Sequence, residues 1–215
     1  MIPSLGRDAD ELDTLSEVLA EAGFSAVAVS PRGTGESVGP LQGLTLHSFA
    51  TDIASVITNL NTGPVHLLGR SFGNRIARCL AADRPDLVRS LVLLAAGGKF
   101  RTGHNNVPIF RRDWIPPFLM RNAGNLTHRQ SAAQLEADRA TPLEDWWTGG
   151  LAPMLIIQGL LDRIAPPANG RVLRHELGQR VRLLEIPDQG HYVSGPIVYD
   201  GIIQFLREQD MITSL

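Results

Sequence analysis

Val65-His66-Leu67-Leu68-Gly69-Arg70-Ser71-Phe72-Gly73-Asn74-Arg75-Ile76-Ala77-Arg78-Cys79-Leu80-Ala81-Ala82 runs from an apolar stretch of strand character into a helical stretch, through a turn with a glycine two residues to either side of a serine. Strands that feed helices in this way build mostly parallel sheets covered by helices on both faces. The corner also gives Ser71 a chemistry. A sharp turn lifts its Oγ clear of the sheet, the glycines let neighbouring backbone pass without a Cβ clash, and the helix N-terminus favours a developing anion. A lone Gly-x-Ser-x-Gly is a weak signal, because any Gly-rich turn can hold a serine. The elements downstream decide it.

Met154-Leu155-Ile156-Ile157-Gln158-Gly159 reads as a strand, and Asp162 stands just past it. After a helical stretch from Ala168 to Leu177 comes a second strand, Val181-Arg182-Leu183-Leu184-Glu185-Ile186-Pro187, and His191 stands just past that one. In a parallel sheet these positions share the carboxyl-terminal edge with Ser71, where open α/β folds bind ligands.

With a serine, an acid and a histidine in that order, the chain resembles the α/β-hydrolase family, whose triad runs Ser, Asp, His along the sequence. Pro31-Arg32-Gly33-Thr34-Gly35-Glu36-Ser37 is similar to that family's Asp-x-Arg-Gly-x-Gly-x-Ser loop, with Ser30 where the family carries Asp. The resemblance covers nearly all of the chain. It implies a serine hydrolase that cleaves a small, apolar ester or related acyl compound through a Ser71 acyl-enzyme, with His191 as base and Asp162 as its orienter. It also implies an oxyanion hole made by the backbone N–H of Phe72 and by one from a loop that corresponds here to Pro3-Ser4-Leu5-Gly6-Arg7, with Leu5 the expected donor. It implies no metal and no organic cofactor. Bond type stays open, since the same triad serves lactone, carbon–carbon and perhydrolysis chemistry.

The same loop supports an alternative, a non-catalytic or weakly active ligand-binding protein of this fold. Pro3-Ser4 occupies the place of the family's His-Gly pair, and the strand that leads into the loop is nearly absent, because the sequence opens on Met1-Ile2. Three accounts are open. The chain shown begins downstream of the native start, the strand expected over Ser25–Ser30 pairs directly with the elbow strand, or a second molecule fills the gap. The first is favoured, and an upstream extension ending in an apolar strand is expected to raise activity.

Each residue also has a plain reading. Asp162 would close an Asx-turn before a Pro-rich loop, and only His191 downstream tips it to a catalytic role. Asp188, the rival acid, reads as a turn residue. His47, His66, His104, His128 and His175 read as structural or solvated. Cys79 is the sole cysteine, which excludes an internal disulfide or a cysteine metal cluster, and reads as buried packing.

The 215 residues are 43% hydrophobic, enough for one substantial core and too few for two full α/β domains, so one domain over 1–215 is expected. A formal net charge of −2 gives no general attraction to nucleic acid. No apolar run reaches the roughly 20 residues of a bilayer span, and no secretory signal opens the chain. A small-molecule substrate and a cytoplasmic location are expected, while oligomeric state stays open. Helices are expected over Asp8–Ala22 and Leu46–Leu60, the latter closed by Gly63-Pro64, and a strand over Ser90–Ala96. Residues 97–151 interrupt the alternation and hold Trp114, Phe118, Trp146 and Trp147. They read as a short helical cap, with Trp114, Phe118 and Trp146 as candidates to line an apolar pocket and packing as the alternative for each.

Overall fold

The computed structural model describes residues 1–99 and 125–213. Four parallel strands, β1 (Val65–Arg70), β2 (Val88–Leu94), β3 (Met154–Gly159) and β4 (Val181–Ile186), lie side by side in chain order. Their registers align Leu67 with Leu91, Leu91 with Met154 and Met154 with Val181, so all four carboxyl ends fall on one edge. The helices are α1 (Asp13–Glu21), α2 (Leu46–Leu60), α3 (Gly73–Asp83), α4 (Asn125–Ala140), α5 (Leu143–Trp146), α6 (Ala168–Leu177) and α7 (Pro196–Thr213).

Alternation along the strands sorts the core into two layers. Leu67, Leu91, Leu93, Met154, Ile156 and Val181 point to the face covered by α2, α3 and α6. Leu68, Val92, Leu94, Leu155, Ile157 and Ile186 point to the other face, against α1 and α7. Both faces are therefore apolar, as a sheet buried on both sides requires. No helix among the described residues is long and apolar enough to cross a membrane.

The expected helices and strands match closely, with four differences. The helix expected over Asp8–Ala22 opens on a 3-10 turn, Ala9–Leu12, and is α-helical only from Asp13 to Glu21. Helix α2 closes at Asn61, which adopts the left-handed conformation (φ 52°), two residues before the expected Gly63-Pro64. Helix α7 was not anticipated. The strand expected over Ser25–Ser30 does not form. The reason is the lack of a partner. Among the described residues the backbone of this stretch is bonded by Met1 alone, its amine donating to the Val27 carbonyl at 2.6 Å and its carbonyl accepting from Val29 N–H at 3.0 Å. On the other side Ile2 forms a single parallel bridge to β1, donating to Leu68 at 2.8 Å and accepting from Arg70 at 3.0 Å. Met1 and Ile2 thus lie between the two flanking stretches, which do not pair directly with one another among the described residues. One residue pair on each side makes no ladder. Below it, Phe24, Val27, Ile57, Val65, Leu67 and Leu206 line an apolar cleft of about 360 Å³ that includes none of Ser71, Asp162 and His191.

Candidate active site

Ser71 sits between β1 and α3 with φ at +50°, a strained value for a residue with a Cβ. The two glycines of the motif make the corner possible. A Cβ on Gly69 would stand 2.5 Å from the Gly73 carbonyl oxygen, and one on Gly73 would stand 2.4 and 2.5 Å from the carbonyl oxygens of Ile2 and Pro3. Gly73 therefore lets the first residues of the chain lie directly on the start of α3.

The side chain of Asn74 clamps this corner. Its amide nitrogen donates to the Ser71 carbonyl and, at 3.2 Å, to that of Ala95, which like Ser71 has a positive φ (54°). Its Oδ1 accepts from Arg78 Nη2 at 2.6 Å. Arg78 is fully buried and also donates to the carbonyls of Asn74, Gly97 and Trp147, with the Trp146 ring 4.5 Å and the Trp147 ring 5.4 Å from its guanidinium carbon. Burial and, less strongly, the neighbouring Arg75 push the Arg78 pKa down, against the pull of Asp138.

From Ser71 a chain of hydrogen bonds runs across the carboxyl edge. Ser71 Oγ lies 2.7 Å from His191 Nε2, and His191 Nδ1 lies 2.9 Å from Asp162 Oδ2. Asp162 is buried, and every facing donor is used. Oδ2 also accepts from Gln158 Nε2 at 3.0 Å, while Oδ1 accepts from the N–H groups of Ile164 and Ala165, each at 2.8 Å. Asp162 therefore closes the turn and faces the histidine at once, so the two sequence readings of it are compatible. Gln158 reaches further, donating to the Ala165 carbonyl at 2.8 Å and accepting from Ala96 N–H at 3.1 Å. The Asp162 and His191 loops are also joined directly, Leu161 N–H to the Gln189 carbonyl at 2.9 Å. Asp188 is exposed.

The Pro3–Arg7 loop sits on the other side of Ser71. Its Arg7 N–H donates to the Ser4 carbonyl at 3.1 Å, and two more of its N–H groups are held by side chains, Ser4 by Glu11 Oε2 at 2.6 Å and Gly6 by Gln134 Oε1 at 2.7 Å. Proline has none to give. The N–H groups of Leu5, between these two, and of Phe72, after the serine, have no acceptor among the described residues. Gln134 belongs to α4, which is also tied to the main body by the Arg75–Asp138 ion pair and, just past its last residue, by Thr141 Oγ1 accepting from Leu46 N–H at 2.8 Å. Of the expected pocket residues, Trp146 is 3% exposed and packs against Arg75 and Arg78. Trp114 and Phe118 lie outside the described residues.

Four site neighbours escaped the sequence reading. Gln158 had a signal, a polar side chain inside an apolar strand, and so did Asn74, three residues after the serine in the first helical turn. Glu11 and Gln134 had none, since only the folded chain brings them to the Pro3–Arg7 loop.

Residues 2–119, more than half of the chain, match the family defined by the alpha/beta hydrolase fold. The chain belongs to the α/β-hydrolase family. Among curated relatives, the 2-(acetamidomethylene)succinate hydrolase of Mesorhizobium japonicum is 42% identical over 71 residues, which is 33% of this chain and 26% of that protein. A Mycobacterium tuberculosis protein classed with the non-heme bromoperoxidases, BpoC, is 29% identical over 206 residues, covering 79% of this chain and 77% of its own. The match thus spans about a quarter of the first relative and about three quarters of the second. The crystal structure of BpoC superposes with a TM-score of 0.76 at 21% identity, covering 97% of this α/β hydrolase and 91% of that chain. A monoacylglycerol lipase from Paleococcus ferrophilus gives 0.73 at 20% identity, covering 97% and 93%.

Proposed function

We propose that this α/β hydrolase is a serine hydrolase that cleaves a small, apolar ester or related acyl compound. The observation that carries the reading is the hydrogen-bonded run Ser71–His191–Asp162, at 2.7 and 2.9 Å. His191 Nε2 takes the Ser71 proton as Oγ bonds to the acyl carbon. Asp162 holds the other ring nitrogen protonated and stabilises the imidazolium. As the carbon–oxygen bond to the alcohol breaks, His191 returns the proton to the leaving oxygen. Water then repeats the sequence and frees the acid.

Negative charge that grows on the carbonyl oxygen is met by the N–H groups of Phe72 and Leu5. Support for Leu5 comes from the pinning of its neighbours by Glu11 and Gln134. Losing such a donor costs about 2.7–4 kcal/mol of transition-state stabilisation. Residues 97–151 act as the cap, and the reach of Gln134 to the Pro3–Arg7 loop supports placing α4 beside the site. Trp114 and Phe118 are the proposed pocket walls. The contacts of Trp146 favour packing for that residue.

A fluorophosphonate probe with a panel of chromogenic esters tests the reading. Covalent capture of wild type, lost in Ser71→Ala, with hydrolysis favouring short apolar acyl groups is the expected result. A wild-type chain that neither captures the probe nor turns over any ester overturns it in favour of a ligand-binding protein.

A further inference from the structure

Away from the active edge, three different donor atoms converge between α2 and α3. His47 lies in the first turn of α2, and Cys79 and Asp83 lie one turn apart on the same side of α3. Asp83 Oδ2 is 2.7 Å from His47 Nδ1, Cys79 Sγ is 3.4 Å from the same nitrogen, and Sγ is 3.7 Å from Asp83 Oδ2. We propose that His47 Nδ1, Cys79 Sγ and Asp83 Oδ2 form a binding site for a thiophilic divalent cation, Zn²⁺ foremost.

The geometry supports it. A tetrahedral centre with Zn–S of about 2.3 Å and Zn–N and Zn–O of about 2.0–2.2 Å sets its donors about 3.3–3.6 Å apart. Two of the three separations lie close to that range already. The nitrogen–oxygen pair must open by about half an ångström, which rotation of the partly exposed Asp83 side chain provides. A set of one thiolate, one imidazole and one carboxylate selects Zn²⁺ over the hard cations Mg²⁺ and Ca²⁺.

A fourth residue supplies the supporting contact such sites use. His47 Nε2 lies 3.2 Å from Asp145 Oδ2 of α5. When a cation replaces the proton between Nδ1 and Asp83, the ring keeps its Nε2 proton on Asp145 and turns the Nδ1 lone pair toward the ion beside Cys79 and Asp83. His47 and Asp83 side chains are 40% and 35% exposed, so the cation enters from solvent and a water completes its shell. Burial above all, then the nearby carboxylates, keep the Cys79 thiol protonated in the metal-free chain, and binding expels that proton. The ion would join α2 to α3 and, through His47, to α5. The sequence expectation of no metal came from the family resemblance, and the single cysteine excluded only a cysteine cluster, so a mixed set of donors was not considered.

The test uses the whole chain, stripped with a chelator and titrated with Zn²⁺ against a chromophoric competitor. One Zn²⁺ per chain at sub-micromolar affinity is expected. His47→Gln and Cys79→Ser should each weaken binding by about tenfold or more, and Asp145→Asn by about tenfold. Co²⁺ should give a thiolate-to-cobalt charge-transfer band that Cys79→Ser lacks. His47→Gln keeps its thermal transition and its labelling by fluorophosphonate, which shows that the chain is folded. No competition for Zn²⁺ in the micromolar range, or binding that survives in both His47→Gln and Cys79→Ser, overturns the proposal and leaves the cluster a set of hydrogen bonds.

Discussion

The Asp162–His191 half of the site hangs from two full strands, β3 and β4, paired over their whole length, whereas the Ser4–Gly6 half hangs from a single bridge at Ile2. In the first half every polar atom of Asp162 and Gln158 named above has a partner. In the second, the buried Ser4 Oγ and Gln134 Nε2 have none among the described residues. The difference teaches that a strand ladder positions a carboxylate and an imidazole with little further help. A loop without a ladder has to be pinned by side chains that arrive from distant parts of the sequence.

The largest effect belongs to the group both halves serve. Ser71→Ala or His191→Ala should lower kcat for an ester substrate by about 10⁴–10⁶-fold with an unchanged thermal transition. A loss below tenfold in either variant breaks the comparison at its root. Next comes the clamp between the halves. Asn74→Ala frees the Ser71 and Ala95 carbonyls and removes an acceptor from buried Arg78. It should cost about 100-fold in kcat through misplacement of the nucleophile and about 1–3 kcal/mol of unfolding free energy.

The comparison sharpens with two glutamines. Gln158→Ala should lower stability by about 1–3 kcal/mol and leave kcat within a few-fold, because Asp162 keeps its two backbone donors. Gln134→Ala should do the reverse, with about a tenfold fall in kcat from a loosened Gly6 and Leu5 and a stability loss nearer 1 kcal/mol. Parallel measurement of denaturant midpoints and of kcat and KM decides it. Equal losses on both scales in both variants would show that the two halves are supported alike.

The smallest effect is a pH dependence at His47. A hydrogen bond donated to Asp83, and then one donated to Asp145, raises its pKa against the cost of burial. Because the folded value lies above the unfolded one of about 6.5, the stabilisation is complete below that value and fades as pH rises through the raised folded one. At 40% side-chain exposure, screening keeps this below about 1 kcal/mol. In chelator, the stability of His47→Gln should change less than that of wild type between pH 6 and pH 9. Identical profiles would place His47 outside any ionic partnership.

Much of this was legible before folding. Apolar runs bounded by glycine and proline gave β1 to β4, α3 and α6 to within about two residues, because a sheet buried on both faces leaves continuous hydrophobic strands, whereas α4 and α5 were read only as part of a cap without bounds. The Ser71 corner was legible because its glycines answer a local demand, a backbone approach no Cβ permits. Ser25–Ser30 failed for the opposite reason. Its composition suits a strand, but a strand forms only when a neighbour completes the ladder, and that information is not local. Asn74 and Arg78 were read as ordinary helix residues because their meaning depends on Ala95, Gly97 and Trp147, which arrive 19 or more residues later.

Two of the three tryptophans flank Arg78, which donates to the amide that holds the Ser71 corner. Indole emission responds to a nearby cation and to water, so intrinsic fluorescence of this protein becomes an optical gauge of the corner itself. Any ligand, temperature or solvent that slackens the turn at Ser71 should be readable in the emission of Trp146 and Trp147, without a label and before the chain as a whole comes apart.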